Sequence, residues 1–103
     1  MSDHHTFFNV ITFPETRQDE AFAAWQAIGH YMETQDGFIG STLYRNRRDP
    51  RMLINHGKYT SPELFMASVK SDEFAALSAK LTELGVERIA GLYDEVETFG
   101  DGA

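Results

Sequence analysis

The sequence contains no cysteine. That excludes a thiolate nucleophile, a disulfide framework and any cysteine-ligated zinc or iron–sulfur centre. Proline is scarce: Pro14, Pro50 and Pro62 stand singly, so no proline-rich linker divides the chain. Basic residues are also few. Nine Lys and Arg against sixteen Asp and Glu leave a formal charge of −7, which argues against nucleic acid or an anionic membrane surface as partner. No apolar run is long enough to span a bilayer. The nucleophile-elbow GxSxG, the P-loop and the dinucleotide GxGxxG are all missing. Among His4, His5, His30 and His56 no HxxxH or HExxH spacing occurs, and His4-His5 reads as a solvated terminus, so no metal is expected. The opening Met1-Ser2-Asp3-His4-His5 is polar and lacks a signal pattern, so a cytoplasmic protein is expected.

What remains is ample for a core. The 103 residues are 42% hydrophobic and 13% aromatic, too apolar for disorder and of single-domain length. One domain over residues 1–103 is expected, with its core at about 6–99 and a loose tail at 100–103. Thr6 to Phe13 is β-branched and aromatic and is closed by Pro14, which predicts a strand. Thr16 is the expected cap of a helix running to about Gln35, with Ala21, Phe22, Trp25, Ile28 and Met32 at helical spacing. Phe38 to Arg45 and Arg51 to Tyr59 form a hairpin across a polar turn. The Arg45-Asn46-Arg47-Arg48 cluster at its tip reads as a solvated turn. Ser61-Pro62-Glu63 starts a second helix, Ser71-Asp72-Glu73 restarts it, and Gly85 stops it. Ile89 to Phe99 carries the last strand.

The order β-α-β-β-α-β predicts an α+β, ferredoxin-like fold: a four-stranded antiparallel sheet with its helices on one face. Phe8, Val10, Tyr93 and Phe99 then form a second apolar sheet face with no helix left to cover it. Sheet-against-sheet pairing into a homodimer is the expected cover.

Two asparagines lie mid-strand, where that residue is disfavoured: Asn9 beside Phe7, Ile11 and Phe13, and Asn55 beside Leu53, Gly57 and Tyr59. A buried amide without a hydrogen bond costs about 1–3 kcal/mol. Each Asn therefore either bonds a neighbouring backbone group or water at an edge, or lines a cavity and binds a polar ligand atom. Tyr59 closes the same strand and either packs or exchanges a proton. Trp25, Phe22, Phe65 and Phe74 either form plain core or line the helix side of a pocket for a flat aromatic molecule. His56 adjoins Asn55 but points to the opposite face.

FFNVITFP (Phe7 to Pro14), QDGFIGSTLYR (Gln35 to Arg45), NHGKYTSPELF (Asn55 to Phe65) and KSDEF (Lys70 to Phe74) together resemble the antibiotic biosynthesis monooxygenase family of the dimeric α/β-barrel superfamily. The resemblance implies a homodimer whose two sheets close into a barrel, with a ligand cavity between sheet and helices in each subunit. It implies oxidation of an aromatic phenol, quinol or anthrone with O₂ as co-substrate and no cofactor. The family's Asn-x-x-x-Trp falls on Asn55 and Tyr59, with tyrosine in place of tryptophan. Its pocket tyrosine and arginine positions fall on Leu43, Phe65 and Ser78. Haem-degrading members carry an asparagine that matches Asn9, but their Trp and His positions read Ser68 and Ser78, so haem is not expected.

The expected function is thus a cofactor-independent monooxygenase. Asn55 stabilises the substrate anion, Tyr59 orients it or relays a proton, and Asn9 is a second hydrogen-bonding group. Phe22, Trp25, Phe65, Phe74 and Ser78 are the expected substrate contacts. No general base is evident. The alternatives are a small-molecule-binding or structural dimer on the same fold, or a cyclase or isomerase of the superfamily. A sheet–helix space already filled by aromatics would favour the first.

Overall fold

The computed structural model describes residues 4–101, so Gly102 and Ala103 of the expected tail and Met1 to Asp3 of the polar start lie outside the described residues. Seven elements follow one another: β1 (His5–Thr12), α1 (Gln18–Glu33), β2 (Phe38–Arg45), β3 (Met52–Tyr59), α2 (Pro62–Val69), α3 (Asp72–Glu83) and β4 (Glu87–Tyr93). The strands form one open antiparallel sheet in the order β2-β3-β1-β4. This is the ferredoxin-like α+β arrangement expected from the element order, with the second helical region broken into α2 and α3.

Strand alternation divides the sheet into two faces. On the helix side, Phe7, Ile11, Leu53 and Tyr59 are buried against Trp25, Ile28, Tyr31, Phe65 and Leu81. On the other side Val10, Ile54, Met52, Tyr44 and Ile89 remain exposed, Ile89 at 70%. Phe8 stacks on His56 and meets Tyr93 edge-on across this outer face, so His56 does point away from the helices, as expected.

Local chemistry explains the helix starts. Ser61 accepts from the Leu64 amide at 3.1 Å with Pro62 at the first helical position, and Ser71 accepts from the Phe74 amide at 3.0 Å. The first helix departs from expectation. Its cap is Arg17 rather than Thr16, in a left-handed conformation (φ 61°) and without a side-chain cap. Arg17 instead reaches forward to Glu20 through two hydrogen bonds of 2.9 and 3.1 Å, and the Gln18 side chain donates back to the Glu15 carbonyl. The helix also ends at Glu33, because the backbone turns at Thr34 and Gly37 (φ 88°) to enter β2. A Cβ on Gly37 would lie 2.7 Å from Leu64, so glycine is required there on two counts.

The last strand is shorter than expected and shifted toward its start. It begins at Glu87, opposite Thr12, and ends at Tyr93, opposite Thr6. Val96 and Phe99 therefore lie past the strand and are 96% and 80% exposed. Phe99 contributes nothing to the outer sheet face.

Candidate active site

Direct cross-strand partners share a face. The register pairs Leu43 with Asn55, Asn55 with Asn9, and Asn9 with Ala90, so these four residues form one row across the helix side of the sheet. Two amides thus stand side by side in its centre, flanked by an apolar residue and a small one. Asn55 is 7% exposed. Its side-chain amide makes no hydrogen bond among the described residues. The Oδ1 of Asn9 is wholly buried and likewise has no partner. An unpaired buried amide oxygen costs on the order of 1–3 kcal/mol, so Asn9 Oδ1, with the Asn55 amide beside it, marks a place suited to a polar ligand atom.

Both amides border open space between the sheet and the helices. A small, partly enclosed chamber of about 90 Å³ lies over Asn9 and Asn55 and is walled by Trp25, Phe65, Phe74, Ser78 and Arg88, among others. An open groove of about 460 Å³ runs between α1 and β2, past Phe22, Trp25, Phe38, Leu43 and Asn55. Trp25, Gly29, Phe38, Ser41 and Asn55 line both, so Asn55 stands where the groove meets the chamber. Open space therefore remains between the sheet and the aromatics of the helices. The groove falls within the ~300–1,000 Å³ typical of ligand sites.

Of the residues singled out from sequence, Asn9, Asn55, Trp25, Phe65, Phe74 and Ser78 meet around the chamber, and Phe22 lies along the groove. Tyr59 does not join them. It is fully buried one step behind the site, with its ring packed edge-on against Phe7, Phe38 and Phe65. Its hydroxyl donates to Ser68 Oγ at 3.2 Å. Burial pushes its ionisation above the usual tyrosine value, so it stays neutral at physiological pH.

Arg88 has no place in the sequence-based set, yet it lines the chamber. From β4 its Nη2 donates to Ser78 Oγ at 2.9 Å and Thr82 Oγ1 at 3.1 Å, and its Nη1 donates to the Val86 carbonyl at 3.1 Å. The signal was present in strand alternation, since Leu92, Ala90 and Arg88 share a face. Starting the strand at Ile89 hid it. His30 also borders the groove, its Nδ1 paired with Glu33 Oε1 at 3.1 Å. Among the described residues no three His, Asp or Glu side chains cluster in a way that could hold a metal ion. Nor is any helix among them long and apolar enough to cross a membrane.

The family model described as antibiotic biosynthesis monooxygenase matches residues 5–80. Among solved structures, the chain is similar to SnoaB, a cofactor-independent oxygenase from Streptomyces nogalater. Identity is 22%, with 97% of this chain and 100% of that chain covered at a TM-score of 0.83. A conserved protein from Methanosarcina mazei aligns at 15% identity over 90% of this chain and 93% of that one, with a TM-score of 0.79. Comparison with curated protein sequences gives no match. The structural likenesses, all below a quarter identity, establish the fold.

Proposed function

The chain belongs to the antibiotic biosynthesis monooxygenase family, and we propose that it is a cofactor-independent monooxygenase acting on an aromatic phenol, quinol or anthrone. The observation that carries this reading is the unpartnered amide pair Asn9–Asn55 at the junction of an aromatic groove and a small chamber. An apolar cavity of ~150 Å³ takes up one benzene. A chamber of about 90 Å³ therefore admits only the oxygen-bearing edge of a ring. The body of a polycycle lies in the groove, against Phe22, Trp25 and Phe38.

The chemistry then follows from charge and hydrogen bonding. A substrate hydroxyl donates to Asn9 Oδ1. Its proton leaves through the open groove, which His30, paired to Glu33, helps to line. The Asn55 amide donates to the resulting anionic oxygen and stabilises it, as an oxyanion-hole donor does. The electron-rich anion passes one electron to O₂. Substrate radical and superoxide join through a new carbon–oxygen bond, and protonation gives a hydroperoxide. Cleavage of the O–O bond with loss of the remaining hydrogen on that carbon releases water and leaves a carbonyl. One oxygen atom ends in the product and one in water, so no external reductant is needed. Tyr59 holds the packing behind the site and does not touch the substrate.

A homodimer formed through the outer sheet face belongs to the same proposal. Val10, Met52, Ile54 and Ile89 make that face apolar and exposed, and a second copy would cover it and close the barrel.

The test is O₂ consumption by metal-free protein with a panel of anthrones, naphthols and hydroquinones, the product being weighed after reaction under ¹⁸O₂. The proposal expects consumption with some member of the panel and one labelled oxygen in the quinone. Ligand binding without consumption across the panel would support the binding-protein alternative and refute the oxygenase.

A further inference from the structure

Among the described residues, Arg88 is the sole charged one lining the chamber. The rest of that wall is aromatic, aliphatic, hydroxyl or amide. Arg88 forms no salt bridge among the described residues; its acceptors are the hydroxyls of Ser78 and Thr82 and the carbonyls of Ser78 and Val86. Those bonds engage Nη1 and Nη2 and leave the Nε–H without an acceptor. Burial lowers the guanidinium's affinity for its proton, yet arginine remains a cation at neutral pH. A chain with a net charge of −7 thus places one uncompensated positive charge against a small, mostly apolar chamber. The chamber's other polar side chains, Asn9, Ser41, Asn55 and Ser78, are neutral and cannot balance that charge.

We infer that the chamber is an anion subsite: Arg88 selects aromatic ligands that carry an ionised oxygen, a phenolate or a carboxylate, on the ring edge that enters past Asn55. The inference rests on the groove and chamber being the ligand site, and it narrows the substrate class. A neutral ring edge would leave the guanidinium with only its neutral acceptors, whereas an anionic oxygen, including the one left when a bound hydroxyl loses its proton, would pair with it in a charge-assisted hydrogen bond. Arg45 offers no equivalent. It lies at the far edge of the same face, exposed and over the Phe22 ring at 5.9 Å.

The chain's one tryptophan, Trp25, lines both spaces and reports occupancy by fluorescence quenching. Four probes separate the cases: 2-naphthoate, its neutral isostere 2-naphthamide, a nitronaphthol ionised at neutral pH, and 2-naphthol. The expected result is that the anions bind about tenfold or more tightly than their neutral counterparts, the scale of a hydrogen bond to a charged group. The tighter of the two anions identifies carboxylate or phenolate as the preferred group. Arg88→Gln should abolish the preference, Arg88→Lys should keep part of it, and Arg45→Gln should leave it intact. Equal binding of naphthoate and naphthamide by the wild-type protein would overturn the anion subsite while leaving the aromatic pocket standing. A preference that survives Arg88→Gln would overturn it too. Quenching by none of the four would overturn the subsite and the pocket assignment together.

Discussion

Replacing Tyr59 by phenylalanine separates a residue of the packing from a residue of the chemistry. The substitution deletes one hydroxyl, which donates to Ser68 Oγ at 3.2 Å and lies 3.9 Å from the Met32 sulfur. The ring and its contacts with Phe7, Phe38 and Phe65 remain. Ser68 is not orphaned, because its hydroxyl still donates to the Leu64 carbonyl at 3.0 Å. The cost is then that of one net hydrogen bond, about 1 kcal/mol. For a domain of this length, that lowers Tm by roughly 4–8 °C. A second signature lies in pH. The unfolded tyrosine ionises near 10.0 and burial raises the folded value, so folding binds a proton between the two. Wild-type stability should fall as pH rises above about 10, and Tyr59→Phe should lack that component. Thermal melts from pH 7 to 11 read both effects, and steady-state turnover of the identified substrate should change by less than about twofold. A variant that melts like wild type but loses tenfold or more in turnover would refute the reasoning and return Tyr59 to the reacting groups.

Gly57→Ala should destabilise by about 1–3 kcal/mol, as overpacking does, since its Cβ would stand 2.1 Å from the tip of the Phe7 ring. Phe7 also lines the chamber, so weaker ligand quenching of Trp25 should accompany the lower Tm. Ser71→Ala removes the cap that accepts from the Phe74 amide and that also bonds the Tyr31 hydroxyl and the Ser68 carbonyl. A loss of about 1–2 kcal/mol in urea unfolding is expected. Ile54→Lys puts a charge in the middle of the apolar outer face, where Ile54 is 45% exposed. Sedimentation should find a dimer for the wild-type chain and a monomer for the variant, with the variant still folded; a wild-type monomer would refute the sheet-to-sheet interface.

Much of this architecture could be read from residue pattern, because the pattern is where the physics is local. Thr6 to Phe13 alternates over a β-branched stretch, and Ser61-Pro62 and Ser71-Asp72 carry their caps in adjacent residues. The misplaced boundaries are those that depend on distant partners. Arg17 takes the cap position from Thr16 through backbone geometry and its bonds to Glu20. The last strand stops at Tyr93, opposite Thr6, although Val96 and Phe99 continue the apolar pattern beyond it. The β2–β3 register shifts between Phe38 and Gly40, where the glycine inside the strand is the one local sign of it. Asn9 and Asn55 stand out singly as amides in strands, but their adjacency is a property of register between two segments forty-six positions apart, and needs the fold. Arg88 resembles an ordinary strand charge until α3 and the chamber are placed beside it.

The central claim is that the amide of Asn55, unpaired within the protein, stabilises the anion that reacts with O₂. It is tested most directly by comparing O₂ uptake of the wild-type protein and Asn55→Ala on the best substrate of the panel. Because Asn55 has no hydrogen bond to lose among the described residues, the variant should melt within a few degrees of wild type. Its turnover should fall by about 10²–10³, as when an oxyanion-hole donor is removed. Undiminished uptake by a folded Asn55→Ala protein would contradict the account.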